Sequence, residues 1–109
     1  MKSLTQLLAI PKTEFSKLSY CYHYLKPVKV IAPYAVWQEQ DESSFNADNS
    51  KGERALEGVI DFYTKTEEDA KLDEIENALI AMGAAWQLDS VFFEEESNLI
   101  HFSWNWSVS

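Results

Sequence analysis

The sequence predicts an α+β fold: a mainly antiparallel sheet of about five strands, one long amphipathic helix (66–82) packed on one face, and a short N-terminal helix. Three observations predict it. Between Leu56 and Trp86 the apolar period changes from two to about 3.6, the mark of a strand handing over to a helix. Near the C-terminus Ile100, Phe102, Trp104, Trp106 and Val108 alternate strictly with His101, Ser103, Asn105 and Ser107, which is a half-buried strand. The links between the apolar segments are mostly short, which favours antiparallel neighbours. A chain of 109 residues is read as a single domain, 1–109.

Taken in order, Ser3 is a candidate N-cap for a helix over residues 3–10 that places Leu4, Leu7 and Leu8 on one face; Pro11 is expected to end it. The patch lacks a small-residue cleavage site, so it reads as a helix and not as a signal peptide. From Ser16 to Leu25, Tyr20, Tyr22 and Tyr24 alternate with Cys21, His23 and Leu25, which predicts a strand broken by Pro27. A second strand is expected from about Val30 to Gln40, with Pro33 implying an edge position or a late start. Residues 40–54 (QDESSFNADNSKGER) are polar and turn-rich, with Phe45 as their only large apolar side chain. A connection that long in a small domain tends to carry function.

The strand that follows puts Leu56, Gly58, Ile60 and Phe62 on one face and Glu57 and Asp61 on the other. Thr66 and Asp69 then resemble a capping box, Leu72, Ile75, Leu79 and Met82 make one helical stripe, and Gly83 stands where a left-handed C-terminal residue is wanted. Residues 85–96 form a strand with Trp86, Leu88 and Phe92 on one face and Val91 and Phe93 on the other. Glu94, Glu95 and Glu96 read as charges that blunt this aromatic strand against aggregation.

Charge and composition exclude several functions. Eighteen acidic residues against nine basic ones give a net charge of −9, the wrong sign for gripping a nucleic acid. The single cysteine, Cys21, permits no internal disulfide and suits a reducing compartment. No apolar run approaches the roughly 18 residues of a membrane span. His23 and His101 are the natural general bases, but both lie within predicted strands, and no nucleophile stands in a recognisable elbow. No Gly-rich phosphate loop and no metal-ligand spacing is present. Glu57 and Asp61, alone or with His101, are the only acid–base set to weigh, and a solvated strand face accounts for them more simply. The tryptophans read as core. No catalytic, cofactor-binding or metal-binding residue and no enzyme activity is therefore expected.

The segments PYAVWQEQ, ADNSKGE, GVIDFYTKTEEDAKLDEIENAL and AWQLDSVFFEEESNLIHFSWNW, in that order over roughly residues 30–109, resemble the tail-completion or head–tail joining (neck) proteins of tailed bacteriophages and prophages. The resemblance implies a structural virion subunit with no activity and no cofactor, made in the host bacterial cytoplasm. Such subunits form a homo-oligomeric ring, often a hexamer, between head connector and tail tube or at the tube's end. Their partners are other neck, connector or tail-tube proteins, with no sequence-specific nucleic acid and no membrane. On this reading Phe45, Asp48, Asn49 and Lys51 in the long loop, with Val91 and Phe93, are candidate assembly contacts. An acidic ring also suits a channel that passes DNA without holding it. The alternative is a small acidic binding module or inhibitor whose Glu57 and Asp61 face mimics a polyanion.

Overall fold

A computed structural model describes residues 1–42 and 54–109. The elements are α1 (Leu4–Phe15), β1 (Cys21–His23), β2 (Tyr34–Glu42), β3 (Leu56–Thr64), α2 (Lys71–Ala81), β4 (Ala85–Glu94) and β5 (Leu99–Val108). The strands form one five-stranded sheet in the order β1-β2-β3-β5-β4. Every pairing is antiparallel except β1 with β2, which is parallel. The fold is α+β with a mixed sheet and two helices. Phe45, Asp48, Asn49 and Lys51 lie outside the described residues.

β3 and β5 pair along their whole lengths, Leu56 with Val108 through Thr64 with Ile100, and stack the predicted apolar faces together. Leu56, Ile60, Phe62, Trp104, Trp106 and Val108 are buried there with Ala35 and Trp37 of β2. α1 closes this layer with Leu7 and Phe15, and α2 with Ile75, Ala78 and Leu79. The Phe15 ring lies 5.4 Å from that of Trp37 and 6.3 Å from that of Trp106. The α2 stripe is as its spacing predicts, and Gly83 takes φ 70° just beyond the helix.

Four expectations need correction. The helix expected over 66–82 as the one long helix is α2, 11 residues from Lys71 to Ala81, no longer than α1 with its 12. Its start is delayed because buried Thr64 organises the preceding turn. The Thr64 hydroxyl accepts from the Thr66 amide at 3.1 Å and donates to Asp69 at 2.7 Å, and Asp69 accepts from the Lys71 amide at 2.9 Å. The N-cap position is taken by Ala70, which offers no side-chain cap; Asp69, one residue earlier, binds the first helical amide instead, and Thr66 is not part of a box.

α1 does not stop at Pro11. It runs on to Phe15, and Leu7, Pro11 and Phe15 form its buried face at a spacing of four. The proline forfeits one backbone bond and clashes with the preceding turn, a cost on the order of 3 kcal/mol. Burial of the proline and Phe15 offsets it. The N-terminus is as predicted: Ser3 and Gln6 cap each other reciprocally, at 3.1 and 2.8 Å.

The strand expected over 16–25 shrinks to Cys21–His23, because Ser16, Lys17 and Leu18 spend their amides closing α1 and Tyr24 turns to φ 75°. β2 starts directly after Pro33, the late start that proline implies.

The fourth correction concerns β4. Its register against β5 shifts between Leu88 and Ser90, so Asp89 is an extra residue and the alternation changes phase. Val91 opposes Phe102 and Phe93 opposes Ile100, joining Trp86 and Leu88 on the helix side of the sheet. Phe92 opposes His101 on the other side. The faces written from strict alternation are therefore exchanged beyond Asp89.

Candidate functional site

β4 is the last strand of the sheet, and its outer backbone edge has no partner strand among the described residues. Leu88, Val91 and Phe93 lie on the helix side, but the helices do not cover them: they are 42%, 48% and 54% exposed. Phe92, on the opposite side, is 48% exposed. An open groove lined by Lys65, Glu67, Val91, Phe92, Phe93 and Ile100 follows this margin. The bulge is what gathers Leu88, Val91 and Phe93 onto one face. Of the candidate contacts read from the sequence, Val91 and Phe93 are thus brought together here.

The sheet face away from the helices carries a row of rings. Tyr34 stacks on Tyr63 at 4.9 Å, Tyr63 on His101 at 4.3 Å, and Phe92 meets His101 edge-on at 4.9 Å. His101 Nε2 is 2.9 Å from Asp61, while its Nδ1 is 3.4 Å from Glu94 without hydrogen-bond geometry. Burial and then the Asp61 charge push the Tyr63 phenol up to about 12, and burial with Glu94 raises Tyr34, so both stay protonated.

Asp61 and His101 therefore meet, but Glu57 does not join them. It stands four residues along β3, about 13 Å away on the same face. Among the described residues the ring nitrogens of His101 face carboxylates and no nucleophile, and no group of three or more His, Cys, Asp or Glu could hold a metal ion. His23 is likewise packed into the fold. It is stacked at 3.8 Å on Trp37 and at 3.8 Å on Tyr24, and its Nε2 is 2.8 Å from Glu39. Burial works against the charge on Glu39, but hydrogen bonds from Tyr24 and His23 outweigh it and hold the carboxyl below its usual range. Cys21, beside them, is pushed up to about 12 by burial.

Reading for strands and catalytic groups missed a second surface. The segment from Tyr24 to Ile31 leaves the opposite edge strand, β1, with Tyr24, Leu25, Val28 and Ile31 exposed at 54%, 73%, 94% and 82%. Its apolar residues are interleaved with Lys26 and Lys29, a pattern that by itself does not tell an exposed segment from a covered one. Among the described residues no helix is long and apolar enough to cross a membrane. No protein-family model matches the chain, and no curated protein matches it.

Proposed function

We propose that this chain is a structural subunit of the neck or tail end of a tailed bacteriophage or prophage, acting in tail completion or head–tail joining and assembling as a homo-oligomeric ring, with a hexamer as the ring size the resemblance favours. The observation that carries the reading is the β4 margin: a strand edge with no partner strand among the described residues, flanked on both faces by half-exposed Leu88, Val91, Phe92 and Phe93. A strand left this way is a liability for an isolated domain, and covering it with a neighbour removes the liability. The sequence resemblance over residues 30–109 supplies the class of assembly. The net charge of −9 fits a ring whose channel must pass DNA without binding it. The partners are the connector or tail-tube proteins of the same particle, and the protein is carried in the virion.

The polyanion-mimic reading is weaker. Asp61 is held by His101, and Tyr34 and Tyr63 occupy the same face, so the expected acidic display is interrupted. Light scattering on the pure chain, alone and mixed with its connector or tube protein, tests the proposal. A ring, or a stable complex with either partner, is expected. Strict monomer behaviour with no binding to either sinks it.

A further inference from the structure

We infer that the two margins of the sheet bind each other between copies: the β4 margin of one subunit docks on the Tyr24–Ile31 segment of the next, in a head-to-tail contact. The inference deepens the ring-subunit reading and rests on it for the presence of a second copy.

Among the described residues the exposed large apolar side chains fall mainly into two groups, 24–31 and 88–93. β1 and β4 are the first and last strands of the sheet, so the groups are four strand spacings apart, about 19 Å. At roughly half exposure, the four β4 side chains offer on the order of 300 Å² of apolar surface, a substantial part of the ~800 Å² each partner buries in a standard interface.

Charge says what meets that surface. From Phe15 to Gln38 the chain contains no Asp or Glu but does contain Lys17, Lys26 and Lys29, and the carboxylate that does reach this margin, Glu39, is already engaged within the subunit by Tyr24 and His23. From Leu72 to Ser109 it contains no Lys or Arg, and Asp89, Glu94, Glu95 and Glu96 flank the apolar stretch of β4. Lys65 lines the β4 groove, but Glu67 beside it balances the charge. Glu95, Glu96 and Lys29 have no ion-pair partner among the described residues, whereas Glu94 accepts from Ser97 and faces His101, and Lys26 lies over the Tyr34 ring. Pairing two β4 margins sets carboxylates against carboxylates, and pairing two 24–31 segments sets lysines against lysines. The cross pairing alone joins apolar surface to apolar surface with opposite charges around it. Because the two surfaces differ, each added subunit leaves one of each kind free, which is the geometry of a ring or a filament.

The test uses two variants of the full chain, Phe93→Glu and the double variant Lys26→Glu/Lys29→Glu, each checked for folding by circular dichroism; Val91→Lys replaces the first if it does not fold. Sedimentation velocity is expected to show each variant alone self-associating at least about 30-fold more weakly than the unaltered chain. Mixed in equal amounts they are expected to form a heterodimer and nothing longer, since each retains the surface the other has lost. Adding Glu95→Lys/Glu96→Lys to a second chain is expected to restore binding to the lysine-reversed variant. Undiminished self-association of either variant, or absence of the heterodimer while the unaltered chain associates, overturns the inference and leaves the ring reading standing. An unaltered chain that is monomeric at about 1 mM yet binds connector or tube protein likewise overturns the inference alone. A chain that does neither removes both.

Discussion

The indole N–H of Trp104 donates to the Glu76 carboxylate at 2.9 Å, tying β5 to α2 across the core. Trp106, buried on the same face two residues further on, has no partner for its own N–H among the described residues. Truncating each ring therefore has different consequences. Trp104→Phe loses packing and also strips a part-buried carboxylate of its donor, an added cost of about 1–2 kcal/mol. Trp106→Phe loses packing but removes an unsatisfied group. In urea denaturation Trp104→Phe is expected to be the more destabilising by about 1 kcal/mol. Equal losses would show that the Glu76 bond contributes nothing.

Gly58 and Gly83 are glycine for different reasons. Gly58 lies opposite Trp106 in the β3–β5 ladder, and a Cβ there would meet the indole Cε2 at 2.7 Å and crowd the Gln38 carbonyl. Gly83 has open space around it but a φ of +70°. Gly58→Ala is expected to cost about 2–3 kcal/mol by overpacking, and Gly83→Ala about 1 kcal/mol by backbone strain. Combining Gly58→Ala with Trp106→Phe should recover part of the first loss in a double-mutant cycle. Additive losses would place the clash elsewhere.

The start of α2 separates two local arrangements. Asp69 accepts from both the Thr64 hydroxyl and the Lys71 amide, while the Thr66 side chain makes no hydrogen bond among the described residues. Asp69→Ala is expected to lower stability by about 1–2 kcal/mol, since it strips the part-buried Thr64 hydroxyl and the Lys71 amide of their acceptor. Thr66→Ala should stay within about 0.5 kcal/mol, as for a surface change. Thermal melts that reverse this order would restore the Thr66–Asp69 box.

Cys21 and Tyr63 contribute to the alkaline limit, together with Tyr20, which burial and Glu74 also raise. Burial raises Cys21 and Tyr63 to about 12 in the folded chain. Unfolded, they titrate near about 8.5 and 10. Each folded value is the higher, so the neutral form is favoured by folding. That stability is complete below the unfolded value and is lost as pH rises toward about 12. Stability should therefore decline from about pH 9 upward. Iodoacetamide should label Cys21 in the native chain far more slowly than in the urea-unfolded chain at the same alkaline pH. Matching rates would contradict a half-buried, protonated thiol.

Residues alone determine the elements whose information is local. The alternation of Leu56, Ile60 and Phe62 and of Phe102, Trp104 and Trp106, the stripe of Ile75 and Leu79, the late start after Pro33 and the turn at Gly83 all follow from side-chain period and backbone preference. They suffice for an α+β sheet with a helix on one face. They also mark Val91 and Phe93 as surplus apolar surface. The exposure of the Tyr24–Ile31 segment was not legible in the same way, because an apolar stretch looks alike whether a neighbouring element covers it or not.

Tertiary structure decides what depends on residues far apart in the chain. α1 passes through Pro11 because Trp37 and Trp106 receive Phe15 beyond it. β1 lies parallel to β2 instead of extending as a long strand, because its neighbours in sequence are used to close α1. Asp89 drops out of register only when β4 is set against β5, and that one-residue slip reverses which side Val91, Phe92 and Phe93 face. A pattern of period two cannot announce its own phase change, since the pairing that causes it belongs to another strand.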